Sequence, residues 1–122
     1  MEIPHLIAGA EVTGDLRSGP IFNPATGEQI ASVGFADAAR VQEAIAAASA
    51  ALPGWRATGL IKRADVFFRL RQLLVERSPE LAAIITTEHG KVFSDAQGEI
   101  SRGIENVEFA AGLVHLLKGD YS

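Results

Sequence analysis

The sequence predicts short N-terminal β-hairpin strands followed by about four α-helices, an arrangement that would be α+β if the chain stood alone. Three observations lead there. Apolar runs in the first 35 residues are short and broken by turn residues, the apolar period lengthens to that of a helix from Asp37 onward, and proline, glycine and capping residues then recur at helix-length intervals.

Leu6-Ile7 is followed by Ala8-Gly9-Ala10, Ile21-Phe22 by Asn23-Pro24-Ala25-Thr26-Gly27, and Ile30 to Val33 by Gly34. Pro24 presets φ and Gly27 is free to take a positive φ, so this is strand and turn chemistry. Asp37 can cap a first helix, with Val41, Ile45, Ala48 and Leu52 at helical spacing until Pro53-Gly54 should end it. A second helix from near Thr58 places Leu60, Ala64, Phe67, Leu70 and Leu74 on one face. Ser78-Pro79-Glu80 offers a cap, a first-turn proline and a first-turn acid, so a third helix should run to His89. Gly90 is its natural C′ residue, and Lys91 lies near the negative end of its dipole. The fourth helix, from about Ser94 or Asp95, carries Ile100, Ile104, Val107, Ala111 and Val114 on a single stripe before Gly119.

With 122 residues, 48% of them hydrophobic and 21% charged, the chain has the length and composition of about one globular domain. Chains near this size bury roughly two thirds of the surface they expose unfolded, so a segment of a larger protein would leave apolar helix faces uncovered. The net charge of -4, with eleven scattered Lys and Arg against fifteen Asp and Glu, argues against nucleic acid as a partner. No apolar run approaches the roughly 20 residues that span a bilayer, and the start MEIPHLIAGAEV lacks the basic and long apolar regions of a signal peptide. The expectation is a soluble, cytoplasmic protein without a membrane partner. Absence of cysteine rules out disulfides, thiolate metal sites and a cysteine nucleophile within these residues.

Among candidate chemical groups, Arg102 stands out because Gly98 and Gly103 remove bulk around it while Ile100 and Ile104 belong to the packing stripe. A guanidinium held there could grip a carboxylate in a bidentate fork, or it could form a surface i,i+3 pair with Glu99 or Glu105. His89 occupies a last helical turn, where a histidine commonly complements the dipole. His5 and His115 have no second metal ligand at helical or hairpin spacing. Glu88, Glu99, Glu105 and Glu108 read as a solvated face, and Trp55 as a packing anchor. The chain contains no GxGxxG, no GxxxxGK[ST] and no nucleophile elbow.

Taken in order, Asn23-Pro24-Ala25-Thr26-Gly27-Glu28, Trp55 after a helix, Glu88-His89-Gly90-Lys91, and the block from Gly98-Glu99-Ile100 through Arg102-Gly103-Ile104-Glu105-Asn106-Val107-Glu108-Phe109-Ala110-Ala111-Gly112 resemble the N-terminal part of the aldehyde dehydrogenase superfamily. The last block is most similar to the CoA-acylating methylmalonate-semialdehyde dehydrogenase branch. The resemblance covers the whole chain and implies an α/β parent in which residues 1-122 form the N-terminal part of the cofactor-binding domain, before the nucleotide motif and the catalytic domain.

That branch oxidises methylmalonate or malonate semialdehyde with NAD through a cysteine thioester and, after loss of carbon dioxide, delivers propionyl-CoA or acetyl-CoA. The resemblance therefore implies NAD and CoA as cofactors of the parent enzyme and neither cofactor nor turnover for this chain alone. It assigns Arg102 to the substrate carboxylate. It also implies a monovalent cation held by Glu99 and the backbone carbonyls of Ile21 and Phe22. The expected partners are the remainder of the dehydrogenase or copies of the chain itself, in a homo-oligomeric parent. A non-catalytic, self-associating helical interaction module is the alternative, and a small autonomous enzyme using His89 has no supporting motif.

Overall fold

The computed structural model describes residues 1–117, which fall into two units, Met1–Ala57 and the residues from Thr58 onward. In the first unit five short strands precede one helix: β1 Glu2–Ile3, β2 His5–Ile7, β3 Ala10–Val12, β4 Ser18–Phe22, β5 Gln29–Gly34 and α1 Ala38–Ala57. The second holds α2 Leu60–Glu76, α3 Ser78–His89, α4 Phe93–Ala111 and the single turn α5 Leu113–Leu116. The expected order of hairpin strands followed by helices is therefore what forms.

Strands β2 and β3 pair antiparallel through a two-residue loop in which Ala8 and Gly9 both have positive φ, 52° and 80°. That geometry matches the twist of the flanking strands, and glycine adopts it without the steric cost that alanine carries. Ala10 belongs to β3 rather than to the turn. Strands β4 and β5 are joined by the Asn23 to Glu28 segment. The Asn23 side-chain oxygen accepts from the Ala25 amide at 2.9 Å, its carbonyl accepts from Gly27 N–H at 2.8 Å, and Gly27 takes φ 74°. The asparagine thus satisfies the turn locally while glycine supplies the left-handed residue. Between Ile21 and Phe22 the β4–β5 register shifts, as at a β-bulge. β1 lies parallel to β5 on its other side, giving the order β1-β5-β4. This long-range pairing is not a hairpin and carries no local sequence signal.

Asp37 caps α1 as expected, its Oδ1 accepting from the Arg40 amide at 2.8 Å. The helix does not stop at Pro53-Gly54 but runs through them to Ala57. Proline removes the bond to the Ser49 carbonyl and crowds that oxygen, a local cost, yet its fixed φ is helical. A single further turn completes the element.

In the second unit, α4 packs against both α2 and α3. The centre of that packing is small: Ala82 of α3 and Ala96 of α4 are fully buried beside Ile100, with Leu81, Ile85 and Ile104 against them. Alanines at a helix crossing let the backbones approach closely, which suits a thin core. Ala64 of α2 is also buried, whereas Leu60 and Leu70 on its expected face stay largely exposed.

Two helix starts differ from expectation. Ser78 is the first residue of α3, not its cap, because the lone linking residue Arg77 keeps a near-helical φ/ψ of -101°, 10° and leaves no extended residue for a capping side chain. The Arg77 guanidinium instead grips Glu80 in a two-point contact at 2.7 and 2.8 Å. Helix α4 begins at Phe93, with the Val92 carbonyl accepting from Asp95 and Ala96, so Ser94 and Asp95 lie inside the first turn. Gly90 adopts the left-handed φ of 78° foreseen for it and ends α3. The apolar stripe does not continue as one helix to Val114, because the chain breaks at Gly112 before α5. The expected helix end at Gly119 lies outside the described residues.

Among the described residues no large side chain is fully buried, and Phe68, Leu73 and Phe109 are 57%, 53% and 67% exposed. The uncovered apolar surface expected of a segment is present.

Candidate functional site

The chemistry gathers where α3 ends and α4 begins. Gly90 turns the chain in the left-handed conformation, and Lys91 then reaches back across the break to donate from Nζ to Glu99 Oε1 in the second turn of α4. Both partners keep solvent contact, with side chains 29% and 42% exposed. The Glu99 carboxyl is held below the usual glutamate range, first by the hydrogen bond from Lys91, with partial burial opposing and the charges of Lys91, His89 and Arg102 adding to the lowering. One carboxylate thus sits in the field of three basic side chains.

Arg102 follows Glu99 by three residues on α4. Its side chain is exposed, not embedded in the packing stripe, because Ile100 and Ile104 stand two positions away on either side and point to the opposite face. Its backbone carbonyl accepts from Asn106 Nδ2 at 2.9 Å. Among the described residues no carboxylate lies within ion-pair distance of its guanidinium. The surface pairs open to it on spacing, with Glu99 or Glu105, are not formed: Glu99 is taken by Lys91. Gly98, one helical turn before it, and Gly103, next in the chain and about 100° round the helix, have nothing within 4 Å of where a Cβ would stand.

The other candidates belong to different elements. Ile21 and Phe22 lie at the irregular end of β4 in the first unit, and Glu99 lies in the second. His89 is exposed in the last turn of α3, and His115 is exposed in α5. His5, without a metal partner on spacing, has a different one in space: its Nε2 lies 2.9 Å from Asp15 Oδ2. Asp15 is nearly buried, with Arg40 Nε at 3.8 Å on its other oxygen. A Cβ on Gly34 would come within 2.3 Å of that carboxylate, so glycine there leaves the room it occupies. Among the described residues no cluster of three or more His, Cys, Asp or Glu could hold a metal, and no helix is long and apolar enough to cross a membrane.

Sequence reasoning missed both the Lys91–Glu99 pair and the Asp15 cluster. Each joins residues eight and ten positions apart that do not share one regular element, where helical spacing rules say nothing. The Arg77–Glu80 pair was accessible, since i,i+3 opposite charges at a helix start are a recognisable signal.

The aldehyde dehydrogenase family profile matches residues 12–122. The malonate-semialdehyde dehydrogenase of Pseudomonas aeruginosa is 49% identical over 118 residues, 97% of this chain and 24% of its own length. The crystal structure of methylmalonate-semialdehyde dehydrogenase from Oceanimonas doudoroffii superposes with a TM-score of 0.95 at 49% identity, over 98% of this chain and 24% of that one. A Sinorhizobium meliloti structure solved with NAD bound superposes equally well, TM-score 0.95 at 43% identity, over 100% of this chain and 25% of its own. The chain spans about a quarter of the length of the relatives it matches. Its strands, its helices and the α3–α4 junction are those of the N-terminal part of that fold, and the chain belongs to the aldehyde dehydrogenase family.

Proposed function

We propose that this chain is the N-terminal segment of an NAD-dependent, CoA-acylating malonate- or methylmalonate-semialdehyde dehydrogenase, within the cofactor-binding domain, and that Arg102 binds the substrate's carboxylate. The observation that carries the reading is the state of Arg102: an exposed guanidinium with no ion-pair partner among the described residues, Glu99 three residues before it being held by Lys91. A guanidinium presents parallel N–H donors that match a carboxylate, and an unpaired one needs no partner displaced before it binds. Relatives that share half of these residues act on semialdehydes bearing a carboxylate, which gives such a group a purpose.

On this reading the residues of this chain bind and orient rather than react. None of its 122 residues is a cysteine, so the thiol nucleophile belongs to the remainder of the enzyme, with which this segment partners in a cytoplasmic homo-oligomer. When bound by the remainder of the enzyme, NAD would supply the hydride acceptor and CoA the acceptor of the acyl group left after loss of carbon dioxide. The implied monovalent cation fits these residues poorly at its one charged member. The Glu99 carboxylate is occupied by Lys91, with further positive charge nearby, and a cation joining it to the Ile21 and Phe22 carbonyls would first have to displace that ammonium. No step of the reading runs through it.

Exposed Phe68, Leu73 and Phe109 favour one alternative, a self-associating helical module without catalytic function. Complementation separates the two. The chain, mixed with the separately expressed remainder of such a dehydrogenase, is assayed for NAD reduction with malonate semialdehyde and CoA. Recovered activity is the expected result. Silence from a mixture that contains folded chain would favour the module, and size-exclusion chromatography would then show a discrete oligomer of the chain alone.

A further inference from the structure

Lys91 has no part in the chemistry described so far, yet its placement bears directly on Arg102. Glu99 and Arg102 are three residues apart on α4, the spacing at which opposite charges meet on a helix surface. Left to itself, that pair would form and would occupy the guanidinium. It does not form: Lys91, which follows the left-handed turn at Gly90, donates to the Glu99 carboxylate instead. With Glu99 held by Lys91, Arg102 has no ion-pair partner among the described residues.

We propose that Lys91 is a positioning residue: by holding Glu99 it keeps that carboxylate off Arg102 and leaves the guanidinium available to an incoming substrate carboxylate. This inference rests on the reading of Arg102 given above. It assigns the lysine of the Glu88-His89-Gly90-Lys91 run a role in substrate affinity without contact with substrate.

The test is steady-state kinetics in the full-length dehydrogenase carrying this segment, with malonate semialdehyde and an uncharged aldehyde as parallel substrates. Lys91→Met frees Glu99 to pair with Arg102. It should raise KM for the carboxylated substrate about two- to fivefold, the span that exposed ion pairs cover in equilibrium constants, and leave KM for the uncharged aldehyde unchanged. Adding Glu99→Gln removes the competitor and should return KM to the wild-type value, while Lys91→Arg should keep it there. A pair that merely stabilises the helix junction predicts no rescue by the double variant. An unrescued double variant, or Lys91→Met with unaltered KM, overturns the inference. If Lys91→Met does not fold, Lys91→Gln replaces it: a raised KM for the carboxylated substrate that adding Glu99→Gln restores supports the role, and an unaltered or unrescued KM contradicts it. Arg102→Leu keeps the two proposals distinguishable, because an unselective effect there removes the carboxylate reading itself, whatever Lys91 does.

Discussion

Lys91 pairs with Glu99 across the break between α3 and α4, and Arg102, three residues further along α4, consequently has no carboxylate partner among the described residues. Without that diversion an exposed arginine three residues from a glutamate is an ordinary surface pair. With it, the same arginine is exposed and without an ion-pair partner among the described residues.

The turn that aims Lys91 depends on Gly90 at φ 78°. A Cβ in the left-handed region costs about 1 kcal/mol, so Gly90→Ala should lower stability by roughly that amount. Gly90→Asn should cost less, since asparagine tolerates this region. Chemical denaturation of the three proteins checks the order, and an alanine variant as stable as wild type would contradict it.

Ala82 and Ala96 meet at the α3–α4 crossing with no solvent exposure at all. Ala82→Leu leaves no room for the added carbons without separating the helices, and should destabilise by about 1–3 kcal/mol. Ala83, exposed on the adjacent position, serves as the control: Ala83→Leu should change stability by no more than about 0.5 kcal/mol. Equal effects at the two positions would show that the crossing is not packed as described.

Acid should loosen the helical unit through two glutamates. Glu80 is held below the ordinary range by the hydrogen bond from Arg77 and then by its charge, and Glu99 chiefly by the hydrogen bond from Lys91. A depressed carboxylate stabilises fully above its unfolded value, about 4.3, and that contribution is lost as pH falls through the lowered folded value. Both groups are exposed, so the effect is small and screened by salt. The melting temperature of wild type should fall more steeply below about pH 4.3 than that of the Arg77→Met, Lys91→Met double variant. Identical pH profiles would contradict the pairing.

Because Glu99 is already neutralised, stability should not distinguish sodium from potassium at equal ionic strength. Thermal melts in the two chlorides test this. A preference for one ion that disappears in Glu99→Gln would instead reveal a bound cation at that carboxylate.

What the sequence disclosed was local. Asn23, Pro24 and Gly27 form the β4–β5 turn because each acts within a few residues of itself, and Asp37 and Gly90 mark helix ends for the same reason. Features built by distant or broken segments were hidden. The parallel pairing of β1 with β5 joins residues about thirty positions apart, and the Lys91–Glu99 pair spans a loop whose path depends on the Gly90 turn. Pro53 was read as a stop because its missing bond was weighed without the helical φ that its ring enforces. Arg102 stands out in the sequence for its glycine neighbours, and its exposure follows from its flanking isoleucines once the helix is formed. Positions two apart on a helix face opposite ways, so flanking isoleucines turn it outward.

The central claim is that Arg102 reads a carboxylate, and one comparison tests it most directly: kcat/KM of Arg102→Leu against wild type, in the full-length enzyme carrying this segment, for malonate semialdehyde and for an uncharged aldehyde of similar size. A charge-assisted hydrogen-bonded pair corresponds to roughly a tenfold to hundredfold loss, which should fall on the carboxylated substrate through KM and spare the neutral one. An equal loss on both substrates, or none on either, would contradict the role assigned to Arg102.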